Sequence, residues 1–152
     1  MTILYTDPLF QKHDTGPRHP ETAKRLKGIV AHLDNTGLAK KCAVGAYKPL
    51  AEEQVGKIHA AKQIQSAKQL AEHGGGHLDG DTPVSADSFQ VALAAAGACV
   101  AAVDAVMKGP QRNALCLVRP PGHHASPTRS MGFCLFNNIA LAANHARTAH
   151  QL

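Results

Sequence analysis

Residues 114–125 constrain the fold of this chain more than any other stretch. A run of five apolar residues, 114–118, ends at two prolines and a glycine, and two adjacent histidines follow. A short apolar run bounded in this way is typical of a buried strand. Adjacent side chains on a strand point to opposite faces, so His123 and His124 can face one cleft only on irregular backbone after the turn. In a parallel α/β sheet, ligands bind in a cleft at the carboxyl ends of the strands.

The remainder of the chain alternates between short apolar segments and helical patterns. We predict strands at residues 3–5, 43–47 and 114–118, and helices from Pro20 to before Gly37 and at 52–58, 61–72, 88–107 and 139–149. This alternation predicts an α/β fold, a parallel sheet flanked by helices, in a chain of 152 residues that fits one domain. The helix at 88–107 is apolar nearly all round, which predicts burial against a sheet or between neighbouring helices.

Composition excludes several classes of function. The net charge of +5 is modest, the lysines are scattered and aromatic residues make up only 4% of the chain, so we expect no direct binding of nucleic acid. No run of 18 apolar residues occurs, so we expect no membrane span, and the first residues do not resemble a signal peptide. Four widely spaced cysteines in apolar stretches indicate reduced thiols in a cytoplasmic protein. Ten histidines favour metal binding or proton transfer.

Two further features have a structural and a functional interpretation. Residues 74–83 are rich in glycine and predict a loop, but no Lys-Ser/Thr pair follows to make a phosphate-binding loop. Asp79 and Asp81 alternate as calcium ligands do, but the closing Glu of an EF-hand is missing, so a surface turn that could frame a site fits better. His59 is predicted to be a hydrogen-bonded structural residue rather than a ligand.

Several sequence blocks together resemble one enzyme family. They are Arg-Pro-Pro-Gly-His-His-Ala at 119–125, Met-Gly-Phe-Cys-Leu-Phe-Asn-Asn-Ile-Ala at 131–140, His-Pro-Glu at 19–21 with Arg25, and Leu-Asp-Gly-Asp-Thr-Pro at 78–83 with Ala-Ala-Ala-Gly at 94–97. They resemble the zinc-dependent histone deacetylases, above all the class II enzymes and their bacterial relatives, which include acetylpolyamine amidohydrolases. The resemblance covers essentially the whole chain and implies an arginase/deacetylase-like α/β fold.

The resemblance also implies a chemistry, the hydrolysis of acetyl-lysine or acetylpolyamine amides, with Zn²⁺ activating water and polarising the carbonyl. The position of His124 matches the general base and acid, and His123 would share its hydrogen bonding and tune its charge. Phe133 would form one wall of the narrow channel for the acyl-lysine stem, although by itself it would fit an ordinary core. Gly132 would give its backbone room to contact the substrate amide, and Pro121 would shape the floor near the acetyl group.

The chain departs from the family pattern in its metal ligands. Family members continue past the helix after Asn138 into a strand that ends in an Asp-x-His motif, and later supply a second Asp ligand, an oxyanion Tyr and a Gly-rich loop. No Asp-x-His occurs in this chain, and the pairs His13-Asp14 and His77-x-Asp79 do not supply the three converging ligands of a zinc site. We therefore expect residues 1–152 to be the N-terminal part of a truncated deacetylase-like catalytic domain, inactive in isolation and without bound metal.

Two alternatives stay open. The short chain could be a non-catalytic remnant or a binding module that recognises an acyl-amine weakly. Two chains could also exchange elements, because a truncated parallel sheet leaves an open edge and an uncovered apolar face, which favours a homo-oligomer.

Overall fold

A computed structural model describes all residues, 1–152, and has a three-stranded parallel sheet at its centre. The strands are β1 (Ile3–Tyr5), β2 (Ala43–Val44) and β5 (Ala114–Cys116), in the order β2-β1-β5. Ile3 of the central strand is in register with Ala43 on one side and Ala114 on the other. The predicted parallel sheet is therefore confirmed. β2 and β5 are shorter than predicted, because they pair only along β1, which ends at Tyr5.

Helices flank this sheet. Their bounds are α1 (Ala23–Asn35), α2 (Glu52–Val55), α3 (Ala61–Glu72), α4 (Ser88–Lys108) and α5 (Asn138–His150). The ranges of α3, α4 and α5 agree with the prediction to within a residue at either end. α1 begins at Ala23 rather than Pro20, because the carboxylate and the carbonyl of Glu21 accept hydrogen bonds from Arg119 and hold this segment outside the helix.

α4 is buried on opposite sides, as its composition predicts. Val91, Ala95 and Ala98 pack in the cluster that contains Ile3 and Tyr5 of the sheet. Further round the helix, Phe89, Leu93 and neighbouring residues pack in a second cluster together with residues of α3 and α5. By length and composition α4 is the one helix that could cross a membrane, a test that the core helix of a soluble protein also passes. Here α4 forms the middle of the core.

Residues 74–83, predicted as a loop, contain most of an antiparallel hairpin. β3 (Gly75–His77) pairs with β4 (Pro83–Ser85), with Gly76 opposite Val84. The prediction was wrong because glycine has low strand propensity, so the local sequence does not announce β3. Glycine is needed at residue 75 because the two strands lie close together: a Cβ built there would stand 2.6 Å from the carbonyl oxygen of Val84.

Gly97 lets α4 lie close to the backbone at Lys48. A Cβ at this position would lie 2.0 Å from the carbonyl oxygen of Lys48. We expect Gly97→Ala to lower the free energy of unfolding by about 1–3 kcal/mol, as overpacking of a filled core does. The matched control is Gly28→Ala in α1, where a Cβ meets nothing within 4 Å and should stabilise the chain by about 0.5–1 kcal/mol. Urea denaturation measures the free energy of unfolding of both variants. A change in the same direction for both would contradict the close contact described for Gly97.

Candidate active site

An open cleft of about 550 Å³ lies where the hairpin loop meets the segments after β5. It is lined by Asp79, Gly80, Asp81, His124, Met131, Gly132 and Phe133. Three of the site residues predicted from the sequence, His124, Gly132 and Phe133, thus share one cavity. Pro121 is half-buried and does not line the cleft. His123 does not line it either, although it is the neighbour of His124. The aspartates 79 and 81, which the sequence suggested only as a framing turn, form part of the wall.

The two histidines lie side by side. The ring centroids of His123 and His124 are 4.2 Å apart with the planes inclined by 50°, and both residues are exposed. Neither ring has a hydrogen-bond partner within the chain. Residues 1–152 therefore do not supply the carboxylate or polar group that normally fixes the tautomer of such a histidine. The loop therefore presents two imidazoles with free nitrogen atoms.

Two asparagines at the start of α5 anchor the loop that carries the histidines. The Asn138 side chain donates to the carbonyl of Pro120 (3.2 Å), and the Asn137 side chain donates to that of Ala125 (2.9 Å). These bonds flank the histidine pair on both sides. The two residues were visible in the sequence block 131–140, but their partners were not.

His59 provides a third anchor. The backbone N–H of Asn137 donates to its Nε2 (2.9 Å), so the ring proton lies on Nδ1, which donates to the carbonyl of Ser126 (3.0 Å) and faces Gln63 (3.2 Å). Burial lowers the pKa of His59, and the ring stays neutral. The predicted structural role is confirmed: His59 joins the start of α3 to the segments on both sides of the candidate site.

Phe133 is placed by a strained turn. Met131 and Cys134 exchange two backbone hydrogen bonds, and the residues between them have φ of +58° (Gly132) and +69° (Phe133), as in a type I′ turn. A bulky residue with positive φ costs on the order of 1–3 kcal/mol. The backbone N–H of Phe133 donates to Thr82 Oγ1 (3.1 Å), and the ring meets His19 edge-on, with centroids 4.6 Å apart.

Gly132 is required in this turn for a second reason. A Cβ at residue 132 would stand 2.7 Å from the Cβ of His124 and 2.8 Å from its ring. The turn and the histidine therefore pack in direct contact, and the side chains of His124 and Phe133 share the cleft. The role of Phe133 as a channel wall stays a prediction.

A buried ion pair lies behind the site. Arg119 donates to both carboxylate oxygens of Glu21 (2.7 and 2.9 Å) and to the carbonyl of Phe10 (3.1 Å). His13 is fully buried beside the pair, with Nδ1 2.7 Å from Ser88 Oγ and with no hydrogen-bond partner at Nε2. Burial, reinforced by the charge of Arg119, lowers the pKa of His13 to about 3, so the ring is neutral. This network ties the N-terminal segment to the residue before the prolines.

Asp79 is held within the cleft wall by its own loop and by Arg129. Desolvation acts to raise its pKa, but hydrogen bonds from Thr82 and Asp81 and the charge of Arg129, 3.7 Å away, lower it below the usual value. The side chain is therefore ionised, and it accepts a hydrogen bond from the backbone N–H of Asp81 in its own loop. It contributes negative charge to the rim of the cleft.

The cleft does not contain a ligand set for zinc. Three donors from His, Cys, Asp or Glu converge at only one place in the chain, formed by Asp104, His145 and His150. His150 ends α5, whereas the histidine loop is bonded to Asn138 at its start, about 18 Å away along the helix axis. The histidine pair together with Asp79 and Asp81 therefore does not form a zinc site unless further ligands are added.

Comparison with known proteins identifies the family. The histone deacetylase domain matches residues 19–152. A histone deacetylase-like amidohydrolase of Pseudomonas aeruginosa is 40% identical over 131 residues, which are 86% of this chain and 34% of that protein. A probable deacetylase of Methanothermobacter thermautotrophicus is 38% identical, covering 97% and 43%, and the human polyamine deacetylase HDAC10 is 34% identical, covering 87% and 21%.

Solved structures agree. The crystal structure of the HDA15 HD domain superimposes with a TM-score of 0.92 at 28% identity, over 97% of this chain and 43% of that one. This match confirms the predicted fold, a parallel sheet flanked by helices. The chain spans less than half the length of each of these relatives. By its domain match and its fold, the chain belongs to the histone deacetylase domain family.

Proposed function

We propose that this chain is the N-terminal part of the catalytic domain of a zinc-dependent deacetylase that hydrolyses acetyl-lysine or acetylpolyamine amides. The observation that carries the proposal is the cleft in which His124, Gly132 and Phe133 meet. Its support is chemical: an imidazole with free nitrogens next to an aromatic wall can hold an apolar acyl-amine stem and transfer a proton beside it. The family membership and the names of the relatives point to the same reaction class.

In this proposal the residues of the chain perform proton transfer and positioning. His124 takes a proton from the attacking water and returns it to the leaving amine, and His123 modulates the charge of that ring from 4.2 Å away. Phe133 packs against the substrate stem, Gly132 leaves its backbone free for the substrate amide, and Pro121 shapes the floor near the acetyl group. Zinc is the cofactor of the intact family, and its ligands would come from a segment that carries the Asp-x-His motif.

The decisive experiment compares the chain alone with a chimera. In the chimera, residues 1–152 are fused to the part of the Pseudomonas aeruginosa relative that follows its matched segment. We expect no hydrolysis of an acetyl-lysine peptide or an acetylpolyamine by the chain alone in added zinc, because the metal ligands and the oxyanion donor are missing. We expect chelator-sensitive hydrolysis by the chimera. A folded chimera without activity, beside an active Pseudomonas protein, would contradict the proposal.

A second candidate function is a binding or self-associating module. It is favoured by Leu115 on the outer strand β5, which is 43% exposed, and by an apolar cavity near it that includes Met107 and Leu152. A dimer in size-exclusion chromatography together with an inactive chimera would support this alternative. We propose a reducing, cytoplasmic location, in which the four cysteines remain thiols, and no contact with nucleic acid or membrane.

A further inference from the structure

Three potential metal ligands from two helices converge at the end of α5. The Nε2 atoms of His145 and His150 lie 2.8 and 2.7 Å from Oδ1 of Asp104, a residue in the last third of α4. All three donor atoms lie within 4.8 Å of one another. Lys108 also approaches the same oxygen, with its Nζ at 3.2 Å. This group is outside the cleft of the proposed deacetylase and has no role in its reaction.

The side-chain hydrogen bonds of this group all converge on one atom, Oδ1 of Asp104. Two imidazole nitrogens and one ammonium group face Oδ1 of Asp104, whereas Oδ2 has no hydrogen-bond partner in the chain. Neither imidazole uses its Nδ1 in a bond to the protein. In the structure each Nε2 carries the ring proton and donates it to Oδ1 of Asp104. Because neither Nδ1 is bonded to the protein, each ring can shift its proton to Nδ1 when a cation enters, and the Nε2 lone pairs then become ligands.

The surroundings suit a cation that keeps one open position. The side chain of His150 is 8% exposed, that of His145 27% and that of Asp104 37%, so the site is partly buried but reachable by water. The C-terminal end of α5 adds the negative end of a helix dipole. Donors around a tetrahedral ion at about 2.0–2.1 Å are about 3.3 Å apart, so the rings need to move outward by roughly half an ångström.

We propose that Asp104, His145 and His150 bind one divalent transition-metal ion per chain, with zinc as the reference ligand and water in the fourth position. Imidazole nitrogens select ions such as Zn²⁺, Ni²⁺ and Cu²⁺, and three protein ligands with one open position are a known zinc arrangement. Mg²⁺ and Ca²⁺ are disfavoured, because they require oxygen ligands that this group lacks. The site is independent of the proposed deacetylase chemistry and differs from the sequence-based expectation that the chain binds no metal.

Titration of the purified 152-residue chain with Zn²⁺ by calorimetry tests the site. We expect one ion per chain, and binding weakened at least about 100-fold in a double variant His145→Ala/His150→Ala, since two of three ligands are removed. The matched control is the cleft variant His123→Ala/His124→Ala, which removes the histidine that lines the cleft and its neighbour and should bind zinc as the unaltered chain does. Asp104→Asn keeps the side-chain volume but removes the carboxylate ligand, so it should also weaken zinc binding. Circular dichroism checks that each variant is folded.

Cobalt provides an independent readout. Co²⁺ in a site with two imidazoles and one carboxylate should give visible absorption bands that the His145→Ala/His150→Ala variant lacks and the cleft variant retains. Loss of binding in the cleft variant, or equal binding in all variants, would overturn the proposal. Neither result bears on hydrolysis by the chimera, so the two proposals can fail separately.

Discussion

Replacing His124 with Ala in the chimera is expected to lower kcat for acetyl-lysine hydrolysis by about 10²- to 10⁴-fold. The reason is that His124 is the imidazole that lines the cleft, with its ring in contact with the turn that carries Phe133. The other ionisable side chains in the cleft wall are the carboxylates of Asp79 and Asp81, so His124 supplies the imidazole of the cleft. Steady-state kinetics at saturating zinc measures the effect, and KM should change little.

The control for this variant is His32→Ala, which removes an exposed histidine from α1 that makes no side-chain hydrogen bond. It should leave kcat unchanged. A His124→Ala chimera that is folded and retains more than about a tenth of the activity would show that the proton is transferred by another group. In that case His123, the neighbouring ring, would be the next residue to test.

Truncating Glu21 to Ala is expected to destabilise the chain by about 3–5 kcal/mol. The side chains of Glu21 and Arg119 are only 5% and 4% exposed, and the two are joined by a bidentate ion pair. Removing the carboxylate leaves the guanidinium buried without its counter-charge, next to the neutral ring of His13. Because Arg119 leads into the prolines before the histidine pair, the loop should also lose its fixed position. Urea denaturation followed by circular dichroism measures the loss.

A surface ion pair of similar length provides the control. Lys68 and Glu52 are 2.7 Å apart, but both side chains are 36% exposed. Lys68→Ala should therefore lower the urea midpoint far less than Glu21→Ala does, because solvent screens an exposed ion pair. Equal losses in the two variants would mean that burial does not determine the strength of the Glu21–Arg119 pair.

The features predicted from the sequence are those that a local pattern specifies. The strand at residue 114, the turn after it and the adjacency of the histidines follow from a few consecutive residues. The burial of α4 follows from an apolar composition with no polar face. The block from Met131 to Phe136 identified Gly132 and Phe133 as site residues by resemblance, and the structure places them beside His124.

Contacts between distant segments were not predictable. Glu21 and Arg119 are 98 residues apart, and nothing in either segment identifies its partner. The hairpin at residues 75–85 forms although glycine disfavours strands, because the neighbouring backbone fits against it. That hairpin brings Asp79 and Asp81 to the cleft.

The sequence by itself determined the order of the three parallel strands and the helices, the residue types in the loop after β5 and the resemblance to the family to which the chain belongs. The tertiary structure alone decided which side chains meet. His145 and His150 are five residues apart, a spacing that does not place two side chains on one helix face, and they converge only because Asp104 on α4 lies between them. Periodicity reports the face that an element buries, whereas convergence depends on how helices pack, and packing is a property of the whole chain.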